Sequence, residues 1–293
     1  MIRDAAAPTY TDPSPIRRLV IAIDNRYLVP VLVTVILLIG DFSFGMLESY
    51  TGTALAIITA LATEVVLGRA VYGRWPHLAS AYITGISVGM LVRTPVVWPF
   101  VVGSVLSVLS KYVLRVKERH LWNPSNFGLC ALLLLAPATV AVLSIQWGNE
   151  PWPVVVIWIL GGVSLWRLRR LHISATYVAS FLVLAVARSW LTGTPWLTNI
   201  APITGPMYQL FVFFMITDPR TTVRRRWAQD AVAVAVAVVE MLLRLASVIY
   251  APLYALFIVG PPALLVELWW DSRAPSHTPR KSQAVGRCLS ASR

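Results

Sequence analysis

Long apolar stretches separated by short polar segments run along most of the chain. Each stretch approaches the roughly 20 residues that a helix needs to cross a hydrocarbon core of about 30 Å. The pattern predicts ten membrane spans, at about 28–47, 50–68, 77–93, 96–113, 126–146, 152–166, 172–190, 201–217, 229–247 and 251–270. We therefore predict an all-α, polytopic integral membrane protein with a cytoplasmic segment at 1–27 and a polar, basic, disordered tail at 271–293.

The composition supports this prediction and excludes other classes. Of the 293 residues, 57% are hydrophobic and only 13% are charged, whereas soluble domains carry about 25% charged residues. Such a composition is not that of a water-soluble enzyme, nor of a disordered chain, which combines low hydrophobicity with high charge. The two cysteines are too few for an iron–sulfur cluster or a cysteine-rich zinc site, and we predict no metal ligands.

The net charge of +12 is explained by orientation. If the N-terminus is cytoplasmic, 22 of the 25 basic residues fall in cytoplasmic loops and tails. The positive-inside rule predicts this asymmetry. We therefore expect a plasma-membrane protein with both termini in the cytoplasm, whose basic residues contact the lipid bilayer and not nucleic acid.

Three arginines fall outside this pattern. Arg244 follows Glu240 by one helical turn, so the two side chains are expected to form an ion pair within a span or to belong to an ion or proton path. Arg93 and Arg188 lie at predicted outer ends of spans. They either extend towards water or form a paired cationic site for a phosphate or carboxylate.

An interval of 95 residues recurs in the sequence. It relates Arg93 to Arg188, the segment 77–82 to 172–177, and Asn123-Pro124 to Asp218-Pro219. The matching helices run in the same direction in the predicted topology. We therefore predict a parallel duplication of about four helices, a known device in membrane proteins.

Two polar motifs interrupt the apolar background, at 120–128 and 213–222. Asn123-Pro124 and Asp218-Pro219 each predict a break followed by a new helix with proline in its first position. The N-terminus of such a helix can also bind an anion or a cofactor.

These motifs resemble those of the NqrB/RnfD family, the membrane flavoprotein subunits of sodium-pumping NADH:quinone reductase and of the Rnf electron-transport complex. The family shows Phe-Asn-Pro where this chain has Trp122-Asn123-Pro124, and Phe-Phe-Met-Ala-Thr-Asp-Pro-Val-Thr where this chain has 213–221. The resemblance covers about 30–270. It implies electron transport with a bound flavin, FMN or riboflavin, and with a separate redox partner protein.

The attachment site of the flavin departs from the family pattern. Members with covalent flavin carry a threonine just before the Phe-Phe pair, and here Tyr208 occupies that position, with Thr204 four residues earlier. The resemblance therefore implies flavin held without a covalent bond. Arg93 and Arg188 would offset the phosphate charge, and polar groups near the cofactor would come from Asn123, Thr217, Asp218 and Thr221.

Other functions stay open at this point. No Gly-x-Gly-x-x-Gly pattern follows a strand, so electrons would come from a partner and the chain would be a complex subunit, not a stand-alone enzyme. A transporter or channel without a redox cofactor fits the duplicated spans and the intramembrane Glu64, Glu240 and Arg244 equally well. The chain also resembles a membrane component of enediyne biosynthetic cassettes, which implies a role in self-protection, export or redox chemistry. A third alternative is a scaffold whose Arg224-Arg225-Arg226 cluster recruits acidic partners or lipids.

Overall fold

The computed structural model describes residues 25–45, 47–144 and 151–273. In this part of the chain the fold is all-α, as predicted, with 11 α-helices and two short antiparallel ladders. The predicted N-terminal segment up to residue 24 and the tail from residue 274 lie outside the described residues.

The helices follow one another with short connections. They are α1 (Asn25–Phe44), α2 (Tyr50–Tyr72), α3 (Ala79–Leu91), α4 (Trp98–Val113), α5 (Pro124–Leu135), α6 (Pro151–Arg167), α7 (Leu171–Thr192), α8 (Trp196–Ile200), α9 (Pro206–Leu210), α10 (Arg226–Leu245) and α11 (Ala251–Arg273). A 3-10 turn (Ala201–Thr204) precedes α9, and a π-helical turn (Phe211–Met215) follows it. Strand β1 (Val92–Arg93) pairs with β4 (Ala141–Val142), and β2 (Arg115–Val116) pairs with β3 (Arg119–His120).

Three helices, α2, α7 and α11, are long and apolar enough to cross a membrane. Their outward faces carry large apolar side chains that are exposed in the isolated chain, such as Val66, Val183 and Val266. Apolar side chains on the outside of a helical bundle are what a lipid environment permits and water penalises. Shorter apolar helices lie at 29–42, 79–91, 98–113, 124–135, 154–167 and 206–215.

Two predicted spans are not continuous helices. The span at 126–146 is wrong over 136–144, because Pro137 disfavours the helical conformation of the residue before it, and the chain continues into β4. Its last two residues, 145 and 146, lie outside the described residues. The span at 201–217 is divided into the 3-10 turn, α9 and the π-helical turn, with the break at Gly205-Pro206. Interrupted helices inside a membrane fold are tolerated where other protein segments satisfy the backbone.

The Pro124 and Pro219 segments behave differently. Asn123 caps α5 by accepting a hydrogen bond from the Asn126 backbone N–H (3.1 Å), with Pro124 in the first helical position, as predicted. The second prediction is wrong, because α10 begins only at Arg226. After Asp218-Pro219, the Asp218 carbonyl accepts hydrogen bonds from the backbone N–H groups of Thr221 and Thr222, and these bonds close a turn instead of starting a helix.

Small residues allow the helices to approach closely. A Cβ added at Gly85 of α3 would lie 2.6 Å from Ile57 Cα of α2, and one at Gly128 of α5 would lie 2.7 Å from the Gly103 carbonyl of α4. Close backbone approach at small residues is a usual source of helix association in membranes. In the second half of the chain α10 packs against both α7 and α11, and α11 also contacts α5.

Candidate functional site

A cavity of about 430 Å³ lies between the end of α7, the 3-10 turn and the end of α10. Its polar lining includes Arg188, Thr192, Thr194, Asn199, Tyr208 and Arg244. Its apolar lining includes Met207, Val248 and Ile249. We call this space the arginine cavity. Its volume falls in the range of about 300–1,000 Å³ that is typical of small-molecule sites.

Arg188 is fixed by an amide and not by a carboxylate. Its Nε donates to Asn199 Oδ1 at 2.7 Å, and its Nη2 donates to the same oxygen. Asn199 is buried, and its Nδ2 donates to Ser189 Oγ (2.8 Å) and Thr194 Oγ1 (2.9 Å). Both ends of the Asn199 amide are thereby used, which holds the guanidinium at the cavity wall with its charge uncompensated by this partner.

Arg244 belongs to a buried network around Glu240. Its Nε donates to Glu240 Oε1 at 2.9 Å, so the ion pair expected from the sequence is confirmed. Tyr208 also donates to Oε1, Tyr177 donates to Oε2, and Arg244 Nη2 donates to the Tyr208 hydroxyl. Glu240 is only 1% exposed. Arg244 therefore lies between a buried carboxylate on one side and the cavity on the other.

The charges of the arginine cavity do not cancel. It carries two guanidinium groups, Arg188 and Arg244, and the one carboxylate that pairs with them in the described residues is Glu240. No acidic side chain lines the cavity in the described part of the chain. A half-open cavity with one excess positive charge, hydroxyl groups and an apolar wall suits an anionic ligand with an apolar portion.

A second polar cluster joins the two sequence motifs. Asn123 Nδ2 donates to Asp218 Oδ2 at 3.0 Å, so residues related by the 95-residue interval contact each other. Burial raises the pKa of Asp218, and hydrogen bonds from the Arg220 backbone and from Asn123 act in the opposite direction. Asn123 and Asp218 thus connect the start of α5 to the turn before α10. We call these two residues, with their neighbours, the Asn123–Asp218 cluster.

Thr217 and Thr221, the two predicted site threonines of the second motif, make local contacts. Thr217 Oγ1 donates to the Phe213 carbonyl at 2.7 Å, and Thr221 Oγ1 makes a long contact of 3.5 Å with the Asp218 carbonyl. Arg170 Nη1 donates to the Thr217 carbonyl at 3.3 Å. These residues shape the turn around Asp218.

Arg93 lies elsewhere. It follows α3 on strand β1, donates to the Met90 and Val92 carbonyls at 3.1 Å, and lies 3.6 Å from Glu48. It does not line the arginine cavity. The structure therefore places Arg188 together with Arg244, not with Arg93, as the pair of arginines in this space.

The two polar sites lie at opposite ends of α7. Arg170 lies next to the Asn123–Asp218 cluster, and Arg188 lies in the arginine cavity. The two residues are 18 positions apart, or about 27 Å at 1.5 Å per helical residue. This separation is close to the roughly 30 Å of a hydrocarbon core.

Several residues of these sites were not identified from the sequence as site residues. Asn199 has no local signal, because its role depends on the fold of the 3-10 turn region against α7. Tyr177 was seen only as part of the repeat. For Glu64 the structure supplies an ion-pair partner, Lys111 at 2.5 Å, which lies 47 positions later in the chain.

Comparison with known proteins adds no identification. No protein-family model matches the chain. No curated protein sequence matches it either. The resemblance to the NqrB/RnfD family therefore rests on the motifs and stays a prediction.

Proposed function

We propose that this protein is a multi-pass membrane protein that binds an anionic small molecule in the arginine cavity without a covalent bond, and that the ligand is a flavin serving electron transport. The observation that carries the proposal is the pairing of Arg188 and Arg244 in one cavity with excess positive charge. Phosphate and carboxylate groups are the usual partners of paired guanidinium groups.

The cavity residues fit flavin mononucleotide. Arg188, Arg244 and the hydroxyls of Thr192 and Thr194 would hold the phosphate, and the apolar wall formed by Met207, Val248 and Ile249 would contact the ring. When bound, a flavin supplies one- and two-electron redox chemistry. The residues of this chain bind and orient the group, and a separate protein would deliver or remove electrons.

The position of Tyr208 supports binding without a covalent bond. Its hydroxyl is buried and interacts with both Glu240 and Arg244. Thr204 Oγ1 donates to the Ala201 carbonyl at 2.7 Å. Both hydroxyls are thus engaged in hydrogen bonds within the protein, and neither is the free group that a phosphoester would require.

The proposed topology places the arginine cavity at the outer face. Basic residues surround the opposite end of α7, and the positive-inside rule assigns that end to the cytoplasm. The proposal retains ten membrane segments, some of them short or interrupted, with a plasma-membrane location and both termini in the cytoplasm. It also retains the duplication, which the contact between Asn123 and Asp218 supports.

The test is flavin binding by the detergent-purified full chain. We expect a flavin absorbance band that is lost from the protein on denaturation, or saturable FMN binding if the flavin is lost during purification. Arg188→Gln should weaken FMN binding at least about tenfold, since a charge-assisted hydrogen bond is worth about 1.5–3 kcal/mol. Arg93→Gln is the matched control and should bind FMN like the wild type.

Three outcomes would contradict the proposal. Absence of FMN binding by the folded wild type would exclude flavin. Equal losses in both variants would exclude the arginine cavity as the particular site. Flavin that stays attached after denaturation would contradict binding without a covalent bond.

A second candidate is a transporter of an organic anion, such as a natural product that the producing cell exports. The observation that favours it is the intramembrane pair of Glu240 and Arg244 next to a cavity, an arrangement that marks substrate pathways. Proteoliposomes distinguish the two functions. Uptake of an anion that is lost in Arg188→Gln, by a protein without bound flavin, would favour transport.

A further inference from the structure

We infer that the arginine cavity has a second ligand, a proton that Glu240 takes up when a doubly charged oxyanion binds to Arg188 and Arg244. The inference rests on the proposed anion site and adds the charge state of its ligand. It makes Glu240 a positioning residue that acts through Arg244.

The first argument is the arrangement of the charges. Arg244 lines the cavity, whereas Glu240 does not. An anion in the cavity therefore shares the positive charge of Arg244 with Glu240, which is bound to the Nε of that guanidinium. A carboxylate that is 1% exposed and whose cationic partner is also neutralised by an anion is costly in a low-dielectric interior, and proton uptake relieves that cost.

The second argument is the set of partners around Glu240. Its two oxygens accept from the hydroxyls of Tyr177 and Tyr208. A tyrosine hydroxyl both donates and accepts hydrogen bonds. When Glu240 becomes a neutral acid, one of the two hydroxyls can rotate and accept its proton while the other still donates to the carboxyl group. Lysine ammonium groups in these two positions could only donate hydrogen bonds, so they could not accept the proton of a neutral Glu240.

The charged and titratable groups near Glu240 come from three helices. Tyr177 and Arg188 belong to α7, Tyr208 to α9, and Arg244 to α10 itself. In the described part of α11, no titratable side chain hydrogen-bonds or ion-pairs with Glu240. The proton comes from the solvent and resides on Glu240, and the tyrosines keep their own protons.

The charge balance then defines the ligand class. With Glu240 ionised, the cavity has one net positive charge, which matches a monoanion. With Glu240 protonated, it has two, which matches a doubly charged oxyanion such as a phosphate monoester or sulfate.

Sulfate binding to the detergent-purified full chain tests this inference. Sulfate keeps its charge between about pH 5 and pH 8, whereas a phosphate monoester titrates near pH 6 and would confuse the result. We expect sulfate affinity to fall up to about tenfold per pH unit as the pH rises, with uptake of protons in weakly buffered solution. The proton measurement uses the wild type and does not depend on any variant folding.

Two variants complete the test. Glu240→Gln removes the titrating group and should make sulfate affinity independent of pH, without proton uptake. Glu64→Gln is the matched control, because Glu64 is also buried beside a cation, Lys111, and a tyrosine, Tyr112. It should keep the wild-type pH dependence.

The outcomes separate this inference from the proposed function. Wild-type sulfate binding that is independent of pH, or pH dependence that survives in Glu240→Gln, overturns the inference and leaves the anion site intact. Failure of the folded wild type to bind sulfate or FMN at any pH overturns both.

Discussion

Asn199 determines how much charge Arg188 offers to the arginine cavity. Both of its amide ends are used, one accepting from Arg188 and the other donating to Ser189 and Thr194. An amide fixes the guanidinium without neutralising it, which a carboxylate in the same position would do. The residue is therefore central to the electrostatics of the site although it has no charge itself.

Asn199→Asp tests this role with almost no change of shape. The new carboxylate would pair with Arg188 and cancel the excess positive charge of the cavity, while the two hydroxyls could rotate to donate to it. We expect FMN affinity to fall at least about tenfold, which is about 1.4 kcal/mol of binding free energy. The melting temperature of the protein in detergent should change little. Unchanged FMN affinity would show that the charge on Arg188 does not bind the ligand.

His120 provides a separate test through pH. Burial, followed by the positive charges of Arg220, Lys111 and Arg115, lowers the pKa of His120 to about 4. In the unfolded chain its pKa would be about 6.5. Between about pH 6.5 and pH 4 the unfolded state therefore binds more protons than the folded state. The free energy of unfolding decreases as the pH falls through this range.

The magnitude of this loss is on the order of 3 kcal/mol. We expect the melting temperature of the wild-type protein in detergent to fall as the pH is lowered over this range. The melting temperature of His120→Asn should fall less. The exposed His77 gives the control, since His77→Asn should follow the wild type. A fall of the same size in His120→Asn would assign the acid sensitivity to other groups.

At the scale of the elements, the close contact of α2 and α3 positions the first half of the bundle. Gly85→Ala would place a Cβ 2.6 Å from Ile57 Cα, a backbone atom that cannot move without displacing a helix. We expect a loss of about 1–3 kcal/mol, measured as a lower melting temperature in detergent.

Gly162→Ala in α6 is the matched control for that substitution. Apart from the backbone of α6 itself and the adjoining residues, no heavy atom of the described residues lies within 4 Å of a Cβ built there, and replacing a helical glycine by alanine should stabilise by up to about 1 kcal/mol. If both variants lost stability equally, close packing of α2 and α3 would not be the cause.

The elements also show what the sequence could predict. Apolar length alone located most helices, and the spacing of Glu240 and Arg244 correctly indicated an ion pair. Helix formation and an ion pair one helical turn apart are both determined by residues that are close in the sequence, so a local pattern can predict them. The break of the span at 201–217 and the early end of α5 depend on Gly205, Pro206 and Pro137, whose effect a hydropathy average hides. The placement of Asn199 against Arg188 depends on tertiary packing, so no local pattern predicts it.

In the whole molecule, the proposed topology places the arginine cavity and the basic loops on opposite sides of the membrane. Ser144 lines the cavity and follows Leu143, whose backbone N–H donates to the Leu91 carbonyl at 2.8 Å. This bond places the loop between α3 and α4 at the cavity end. The loop between α2 and α3 belongs to the opposite end of α3.

Cysteine labelling in cells tests this orientation. In a background with Cys288 replaced, Val96→Cys should react with a membrane-impermeant thiol reagent in intact cells. Arg74→Cys should react only after the membrane is permeabilised. Both positions are exposed in the isolated chain, and the native Cys130 is buried. The reverse pattern would place the cavity on the cytoplasmic side.

Locating a bound oxyanion would test the arginine cavity most directly as an anion site. Selenate is a doubly charged oxyanion with an anomalous X-ray signal, so crystals of the full chain soaked in selenate would show its position. We predict a selenate ion within hydrogen-bonding distance of both Arg188 and Arg244. Selenate bound only at other positions, with the arginine cavity accessible but without an anomalous peak, would contradict the account.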